Sequence, residues 1–291
     1  MKIKQKNGRH LYILAGQSNM DGMGYVRELP AELKPVQEDV WIYNPNRKKD
    51  HELPEALGNW EKLRAGHGTG FRTNGKKSHY SDRFGIELTF AKRLKELRPD
   101  RRIALFKYAK GGSSIHSGTP VDWGTWDPDF TAGTGINQWD HFRYQYERAL
   151  ARWHFHRPGE TEHLIPSGLL WLQGESDASF SREIALAYPA NLRKIVNRIR
   201  RLAGNETLPV LIGRISEPGA GIRDPSMQWT GLIQQAQEMF VKSDPLATLV
   251  RSPGEHGWID AWHYDSDTYR ELGFRFAEAT HRVETGILNR Y

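Results

Sequence analysis

Three residues from opposite ends of the chain have side chains suited to acyl transfer. Ser18 follows closely on the apolar run Leu11–Leu14, and Asp260 and His263 lie three positions apart near the C-terminus. A serine hydroxyl becomes a good nucleophile only when an imidazole accepts its proton and a carboxylate orients that imidazole. Ser18, His263 and Asp260 could therefore act as nucleophile, general base and orienting carboxylate.

Each of these residues also has a purely structural interpretation. Ser18 could instead cap a short helix with its hydroxyl, which is a common use of serine. His263 could pack near the start of a helix, with Asp260 as a surface turn residue. The catalytic interpretation therefore requires a fold that brings these positions together.

Small or polar residues follow three apolar segments that are typical of buried strands. The segments are Leu11–Leu14, Ile103–Phe106 and Gly168–Leu172. In a parallel sheet the ligand crevice lies at the carboxyl ends of the strands, so we expect the residues that follow them to converge at one edge. Ser18, Gly112 and Gln173 follow the three strands and are expected at this edge. Asp260 and His263 precede the last predicted helix and are expected at the same edge.

Strand and helix patterns alternate along the rest of the chain. Further strands are predicted at Val40–Tyr43, Pro209–Gly213 and Ala247–Val250. This alternation favours one parallel sheet covered by helices on both faces. We therefore predict a single domain over residues 1–291.

Helix boundaries are predicted from capping residues and prolines. One helix is expected to begin after a cap at Asp82 and to stop before Pro99. Another should run to Leu202, with Pro189 in its first turn, where a proline is tolerated. Thr268 and Glu271 have capping-box spacing and predict the start of the last helix.

The composition excludes several classes of protein. The chain has 291 residues, 38% of them hydrophobic, and no cysteine, so disulfides and thiolate metal sites are absent. Its net charge of +6 comes from basic residues interspersed with acidic ones, a pattern typical of solvated surfaces, and we expect no nucleic-acid partner. No apolar run approaches the ~18 residues of a membrane span, so no membrane association is expected. No signal peptide is visible, as in a cytoplasmic protein or an exported one whose signal has been removed.

No metal or cofactor is expected. The chain has twelve histidines, but His154 and His156 face different ways on a helix and no H-E-x-x-H motif occurs.

Two long polar segments, Asn44–Thr73 and Ser117–Trp139, are predicted as loops that carry specificity. Trp123 and Trp126 in the second loop could stack on sugar rings, although ordinary packing onto the domain is an equally open interpretation.

Four segments together resemble the SGNH/GDSL hydrolases: GQSNM with Ser18, KGGSSI with Gly112, WLQGESDA with Gln173, and DAWHYDSDTYRELGFRFA with His263. More narrowly, they resemble the carbohydrate-esterase branch that contains sialate O-acetylesterase-like proteins and family 6 acetylxylan esterases. The resemblance implies a three-layer α/β/α sandwich with a flavodoxin-like parallel sheet of about five strands. It also implies a serine esterase that needs no cofactor and whose partner is an acetylated carbohydrate substrate.

The resemblance implies a role for each matching residue. Ser18 would be the nucleophile, His263 the general base and later the acid, and Asp260 its orienting carboxylate. Glu175 is a rival to Asp260 as the partner of His263, but the spacing of Asp260 from His263 is that of the family.

In the same resemblance, the oxyanion would be bound by the backbone N–H groups of Ser18 and Gly112 and by the side-chain amide of Gln173. Gln173-Gly174-Glu175 stands where the broader superfamily has an asparagine, which fits the sugar-esterase branch and argues against a lipase. The alternative function is a noncatalytic carbohydrate-binding module on the same scaffold. Loss of Ser18 or His263 would indicate such a module, and both are present.

Overall fold

A mixed sheet lies at the centre of the computed structural model, which describes residues 8–45, 58–119, 123–131, 137–156, 162–217, 227–253 and 257–286. The strands in chain order are β1 Gly8–Gly16, β2 Gly24–Tyr25, β3 Gln37–Tyr43, β4 Trp60–Leu63, β5 Arg72–Thr73, β6 Ser78–His79, β7 Arg83–Phe84, β8 Ile103–Ala109, β9 His163–Leu172, β10 Val210–Gly213 and β11 Ala247–Val250. The helices are α1 Ser18–Asp21, α2 Glu87–Leu97, α3 Gln138–His156, α4 Asp177–Phe180, α5 Arg182–Leu202, α6 Thr230–Ser243 and α7 Ser266–Thr285.

The large sheet has seven strands in the order β11-β10-β9-β1-β8-β3-β4. Strands β8, β1, β9, β10 and β11 form a parallel core with the strand order of flavodoxin-like sheets. Strand β3 extends this core in parallel next to β8, and β4 pairs antiparallel with β3 at the edge. The predicted fold class is confirmed.

The sheet has two strands beyond the five or so that the resemblance implies. One is β3, which the sequence predicts, and the other is β4, which lies in the region Asn44–Thr73 that we expected to be a loop. Only the two end residues of β4, Trp60 and Leu63, are buried. The polar residues Glu61 and Lys62 lie between them, so this edge strand shows no apolar run in the sequence.

Helices cover both faces of the sheet, and the alternation of side chains along β1 divides the core accordingly. Leu11 and Ile13 belong to the cluster that contains the buried residues of α3, α5 and α6. Tyr12 and Leu14 belong to the cluster on the other face, with α2 and α7. The three-layer arrangement thus follows from the period of two in a strand that is buried on both faces.

Three details of the predicted helices are wrong. Helix α2 begins at Glu87, not after Asp82, because the residues in between pair as β7 with β2. Pro189 lies well inside α5 rather than in its first turn, so the helix continues without the hydrogen bond that a proline cannot donate. Helix α7 is capped by Asp265, whose side chain accepts from the backbone N–H of Thr268 at 2.8 Å, so Thr268 lies within the first turn.

The register of the central strands aligns their carboxyl ends. Gly16 at the end of β1 pairs with Ala109 of β8 on one side and with Leu172 of β9 on the other. Residues that follow these three strands therefore emerge side by side. None of the helices in the described parts of the chain has the length and apolar character needed to cross a membrane.

Candidate active site

Ser18 is the first residue of α1, directly past the end of β1. The chain turns there because Gly16 has a φ of +151°, and a Cβ at this position would collide with the carbonyl oxygen of Leu172. Gln17 holds the N-cap position, and its backbone N–H donates to Leu172 at 3.0 Å. Ser18 therefore does not cap the helix, and its half-buried side chain lies on the wall of a cavity.

The loop after β8 packs against this turn. A Cβ on Gly111 would lie 3.5 Å from the Cβ of Ser18, so the two residues are neighbours across the sheet edge. Gly112 has a φ of +74°, and a Cβ there would lie 2.6 Å from the ring of Trp123. Within the described residues, the backbone N–H groups of Ser18 and Gly112 donate to no protein acceptor. Both residues line the cavity, so these donors are available to a ligand.

His263 and Asp260 form a hydrogen-bonded pair in the loop before α7. His263 Nδ1 lies 2.8 Å from Asp260 Oδ2, while Asp260 Oδ1 accepts the backbone N–H groups of Trp262 and His263, both at 2.8 Å. Partial burial of Asp260 opposes its ionisation, but these hydrogen bonds and the nearby imidazole hold its pKa below the usual value. The carboxylate thus leaves Nε2 of His263 as the nitrogen that can exchange a proton with a substrate or nucleophile.

This loop, residues 257–265, is closed by its own hydrogen bonds. Trp258 and Tyr264 form an antiparallel bridge. The N–H of Ile259 donates to the carbonyl of His263 at 2.9 Å, and the N–H of Asp265 donates to Gly257 at 3.0 Å.

Ser18 and His263 line the same cavity, which has a volume of about 840 Å³. No hydrogen bond joins Ser18 Oγ to the imidazole in the part of the chain described here. Catalytic hydrogen bonds are often long or misaligned without substrate and tighten when it binds. The structure thus places the two side chains in one cavity, and the hydrogen bond between them would form when substrate binds.

Glu175 is buried behind this site and does not hydrogen bond to His263. Its Oε1 accepts from Asn19 Nδ2 at 2.6 Å, and Asn19 also donates to the carbonyl of Trp262 at 3.0 Å. Tyr269 donates to Asn19 Oδ1 at 2.7 Å. Burial raises the pKa of Glu175, opposed by the Asn19 hydrogen bond and the positive charge that His263 can carry. Of the two rival carboxylates, Asp260 is the one that is hydrogen-bonded to the imidazole. Glu175 instead holds Asn19, which donates to the carbonyl of Trp262, the residue before His263.

Gln173 also differs from the arrangement expected of an oxyanion donor. Its side chain is fully buried, and Nε2 donates to Asp177 Oδ2 at 2.6 Å and to the carbonyl of Ser113 at 3.2 Å. An amide nitrogen has two protons, so both are engaged. Its role as an oxyanion donor remains a prediction and requires one of these bonds to be released.

Asp177 and Asn19 are the residues around the site that sequence reasoning missed. Both belong to the segments that carry the motifs, and their polarity next to a strand end is the only signal of a role. Asp177 is fully buried and accepts from Ser114 Oγ at 2.7 Å as well as from Gln173. Burial raises its pKa to about 6, against the hydrogen bonds that favour the carboxylate.

Aromatic side chains form much of the cavity wall. Trp123 is 50% exposed and Phe180 37% exposed, and Phe71 and Trp262 complete this lining. Trp126, the other tryptophan we considered for stacking, is instead fully buried, and its Nε1 donates to Ser113 Oγ at 2.9 Å. Trp126 is therefore part of the core and does not line the cavity.

Polar groups lie on the same wall. Arg72 and Lys110 bring positive charge to the cavity, and Asp21 brings a carboxylate that accepts from Thr69 Oγ1 at 3.0 Å. Aromatic surfaces with a few polar groups are typical of small-molecule sites, and here they suit a ligand with both apolar ring faces and hydroxyl groups. Among the residues that the structure describes, no three His, Asp or Glu side chains are grouped to hold a metal ion.

A known family matches most of the chain. The family described as carbohydrate esterase, sialic acid-specific acetylesterase, matches residues 8–123 and 128–282. No curated protein sequence matches the chain significantly.

Solved structures with the same fold include a protein from Arabidopsis thaliana, with a TM-score of 0.64 and 18% identity over 94% of this chain and 97% of that one. A carbohydrate acetylesterase from Xanthomonas citri has a TM-score of 0.63 and 16% identity over 95% of this chain and 57% of its own. NanS has a TM-score of 0.57 and 16% identity over 96% of this chain and 99% of its own. At these identities the similarity establishes the fold.

Proposed function

Because the chain belongs to the sialic acid-specific acetylesterase family of carbohydrate esterases, we propose that it removes O-acetyl groups from sugars through an acyl intermediate on Ser18. Membership of this family makes the chain a carboxylic ester hydrolase. The proposal adds the residues that carry out the reaction and the class of substrate. One observation supports it above the others: Ser18 and His263 line the same cavity, and Asp260 is hydrogen-bonded to Nδ1 of the imidazole, which leaves Nε2 for the serine.

The reaction begins when His263 Nε2 accepts the proton of Ser18 Oγ and the oxygen attacks the acetyl carbonyl carbon. The resulting oxyanion is bound by the free N–H groups of Ser18 and Gly112. The backbone already holds these donors at the cavity wall, so they need little reorientation to stabilise the transition state. The protonated imidazole then gives its proton to the sugar oxygen, which leaves as an alcohol. A water molecule, activated by the same imidazole, hydrolyses the acyl-serine and releases acetate.

The substrates we propose are acetylated plant or algal polysaccharide fragments, such as acetylated xylan, or a related O-acetylated sugar such as a sialate. The cavity of about 840 Å³ supports this, since it lies in the upper part of the range of small-molecule sites. Its aromatic wall, which includes Trp123 and Phe180, suits the flat apolar faces of sugar rings.

The first experiment measures hydrolysis of p-nitrophenyl acetate and acetate release from acetylated xylan fragments and from an O-acetylated sialate. Ser18→Ala should lower kcat by at least about 10³-fold, because the nucleophile is lost. Ser243→Ala is the matched control, since this serine lies on the surface at the end of α6, where it accepts from Arg193 and donates to the carbonyl of Phe240.

Full turnover by Ser18→Ala, or none by the wild type, would contradict the proposal. Tight sugar binding without turnover would then favour a noncatalytic carbohydrate-binding module. Turnover of one acetylated sugar and not the other would assign the substrate.

A further inference from the structure

Asp177 joins three parts of the chain beneath the cavity. It stands at the start of α4, and its carboxylate is fully buried. Oδ1 accepts from Ser114 Oγ at 2.7 Å, and the backbone N–H of Ile115 lies 3.3 Å from Oδ1 and 3.2 Å from Oδ2. Oδ2 also accepts from Gln173 Nε2 at 2.6 Å. The carboxylate therefore connects the end of β9 to the loop that follows β8.

The loop residues that take part, Ser113, Ser114 and Ile115, directly follow Gly112 in the chain. Gln173 uses its second amide proton on the carbonyl of Ser113 at 3.2 Å, so the amide is a bridge between Asp177 and the same loop. Trp126 Nε1 donates to Ser113 Oγ, which fixes the loop from its other side. Residues 113–115 are buried and held at both backbone and side chain, while Gly112 next to them remains at the cavity surface.

We propose that Asp177 is a positioning residue, whose carboxylate holds the loop of Ser113, Ser114 and Ile115, directly and through Gln173, so that the N–H of Gly112 stays aimed at the oxyanion. This inference rests on the proposed esterase function. Asp177 does not touch the substrate. It acts on the reaction by limiting the motion of a donor whose placement matters at the level of about an ångström.

A carboxylate suits this position because the three groups that face it all donate hydrogen bonds to it. The hydroxyl of Ser114, the N–H of Ile115 and the amide of Gln173 all need acceptors. Asparagine has nearly the same shape, but its NH₂ group would face either the amide of Gln173 or the hydroxyl of Ser114. Facing Gln173, it sets donor against donor and leaves a buried amide proton without its acceptor. Facing Ser114, it turns the hydroxyl proton towards the carbonyl of His116 at 3.5 Å, a much longer bond than the 2.7 Å bond to the carboxylate.

The test compares Asp177→Asn with the wild type and with Asp244→Asn. Asp244 is a matched control because it is also buried and hydrogen-bonded, but its partners are Arg200 and the N–H of Leu246, next to the start of β11. We expect Asp177→Asn to lower kcat for p-nitrophenyl acetate by about 10–100-fold with KM changed less than about 3-fold, since misplacing one oxyanion donor costs less than removing it. Asp244→Asn should lower Tm with kcat unchanged.

A double-mutant cycle tests whether Asp177 acts on the rate through its contact with Ser114. Ser114→Ala alone should lower kcat by a smaller factor, and its effect should shrink in the Asp177→Asn background because both changes act on the same contact. Amide hydrogen exchange provides a readout that does not depend on activity. Exchange at Ile115 should rise in Asp177→Asn and stay at the wild-type rate in Asp244→Asn.

Three results overturn the inference in distinguishable ways. If the wild type is active and Asp177→Asn keeps its kcat, or loses only Tm as Asp244→Asn does, Asp177 is structural and the esterase function stands. If exchange at Ile115 is unchanged in Asp177→Asn, the carboxylate does not hold the loop, whatever the kinetics. If the wild type has no activity that depends on Ser18, the proposed function fails and the positioning role fails with it.

Discussion

Replacing Lys107 by methionine is expected to lower the free energy of unfolding by about 3–5 kcal/mol, because the change leaves a buried carboxylate without its cation. Lys107 lies on β8, and its side chain is fully buried together with that of Glu87. Its Nζ donates to Glu87 Oε2 at 2.8 Å and to the carbonyls of Asp21 and His67 at 2.7 and 3.0 Å. Methionine fills similar volume but supplies none of these donors.

The magnitude is large compared with the total stability of a typical domain, about 5–15 kcal/mol. It corresponds to a fall in Tm on the order of 10 °C for a chain of this size. The assay is urea unfolding of the wild type, Lys107→Met, Glu87→Gln and the double variant. Because Glu87→Gln removes the charge that Lys107→Met leaves unpaired, the double variant should be more stable than the sum of the single effects predicts, by at least about 1 kcal/mol.

Lys92→Met is the matched control. Lys92 forms an exposed ion pair with Glu96 at 3.0 Å on the surface of α2, and such pairs contribute at most about 1 kcal/mol. A loss below about 1 kcal/mol for Lys107→Met, or strictly additive effects with Glu87→Gln, would refute the reasoning that the buried pair is a coupled unit.

Three further predictions concern the site and the fold. His263→Ala should lower kcat by about 10²–10⁴-fold and Asp260→Asn by a smaller factor, and a kcat of His263→Ala equal to that of the wild type would count against this. Burial and the neighbouring Arg101 lower the pKa of His10 from 6.5 to about 4, so the unfolded chain binds a proton that the folded chain excludes. Stability should therefore fall as the pH drops from 6.5 towards 4, and His10→Gln should show a shallower fall in urea unfolding; equal slopes would contradict it. Phe180→Ala should raise KM for an acetylated oligosaccharide by about 3–10-fold, and more than KM for p-nitrophenyl acetate; equal changes would remove the stacking role.

The placement of Ser18 at the sheet edge could be predicted because the residue type changes abruptly where each strand ends. Gly16, Ala109 and Leu172 mark these ends in the structure, and they pair directly. Local spacing was equally informative for His263 and Asp260, since a separation of three residues lets a carboxylate reach both the imidazole and the backbone of the same turn.

The direction of a polar side chain after a strand end could not be predicted in this way. Gln173 and Asp177 stand in one polar run, and the sequence does not distinguish a side chain that faces the cavity from one buried beneath it. The tryptophans show the same limit, because Trp123 is exposed at the cavity while Trp126, three residues later, is fully buried. These outcomes depend on packing between segments far apart in the chain. Local periodicity does not contain that information.

The loop of residues 257–265 closes on itself through the bridge between Trp258 and Tyr264. The hydrogen bond from Asn19 to the carbonyl of Trp262 ties this closed loop to the residue next to Ser18. The loop therefore keeps the bond between His263 and Asp260 by its own closure, and it keeps its distance from the nucleophile by an external contact. A substitution at Asn19 would act on that distance and leave the imidazole–carboxylate bond in place.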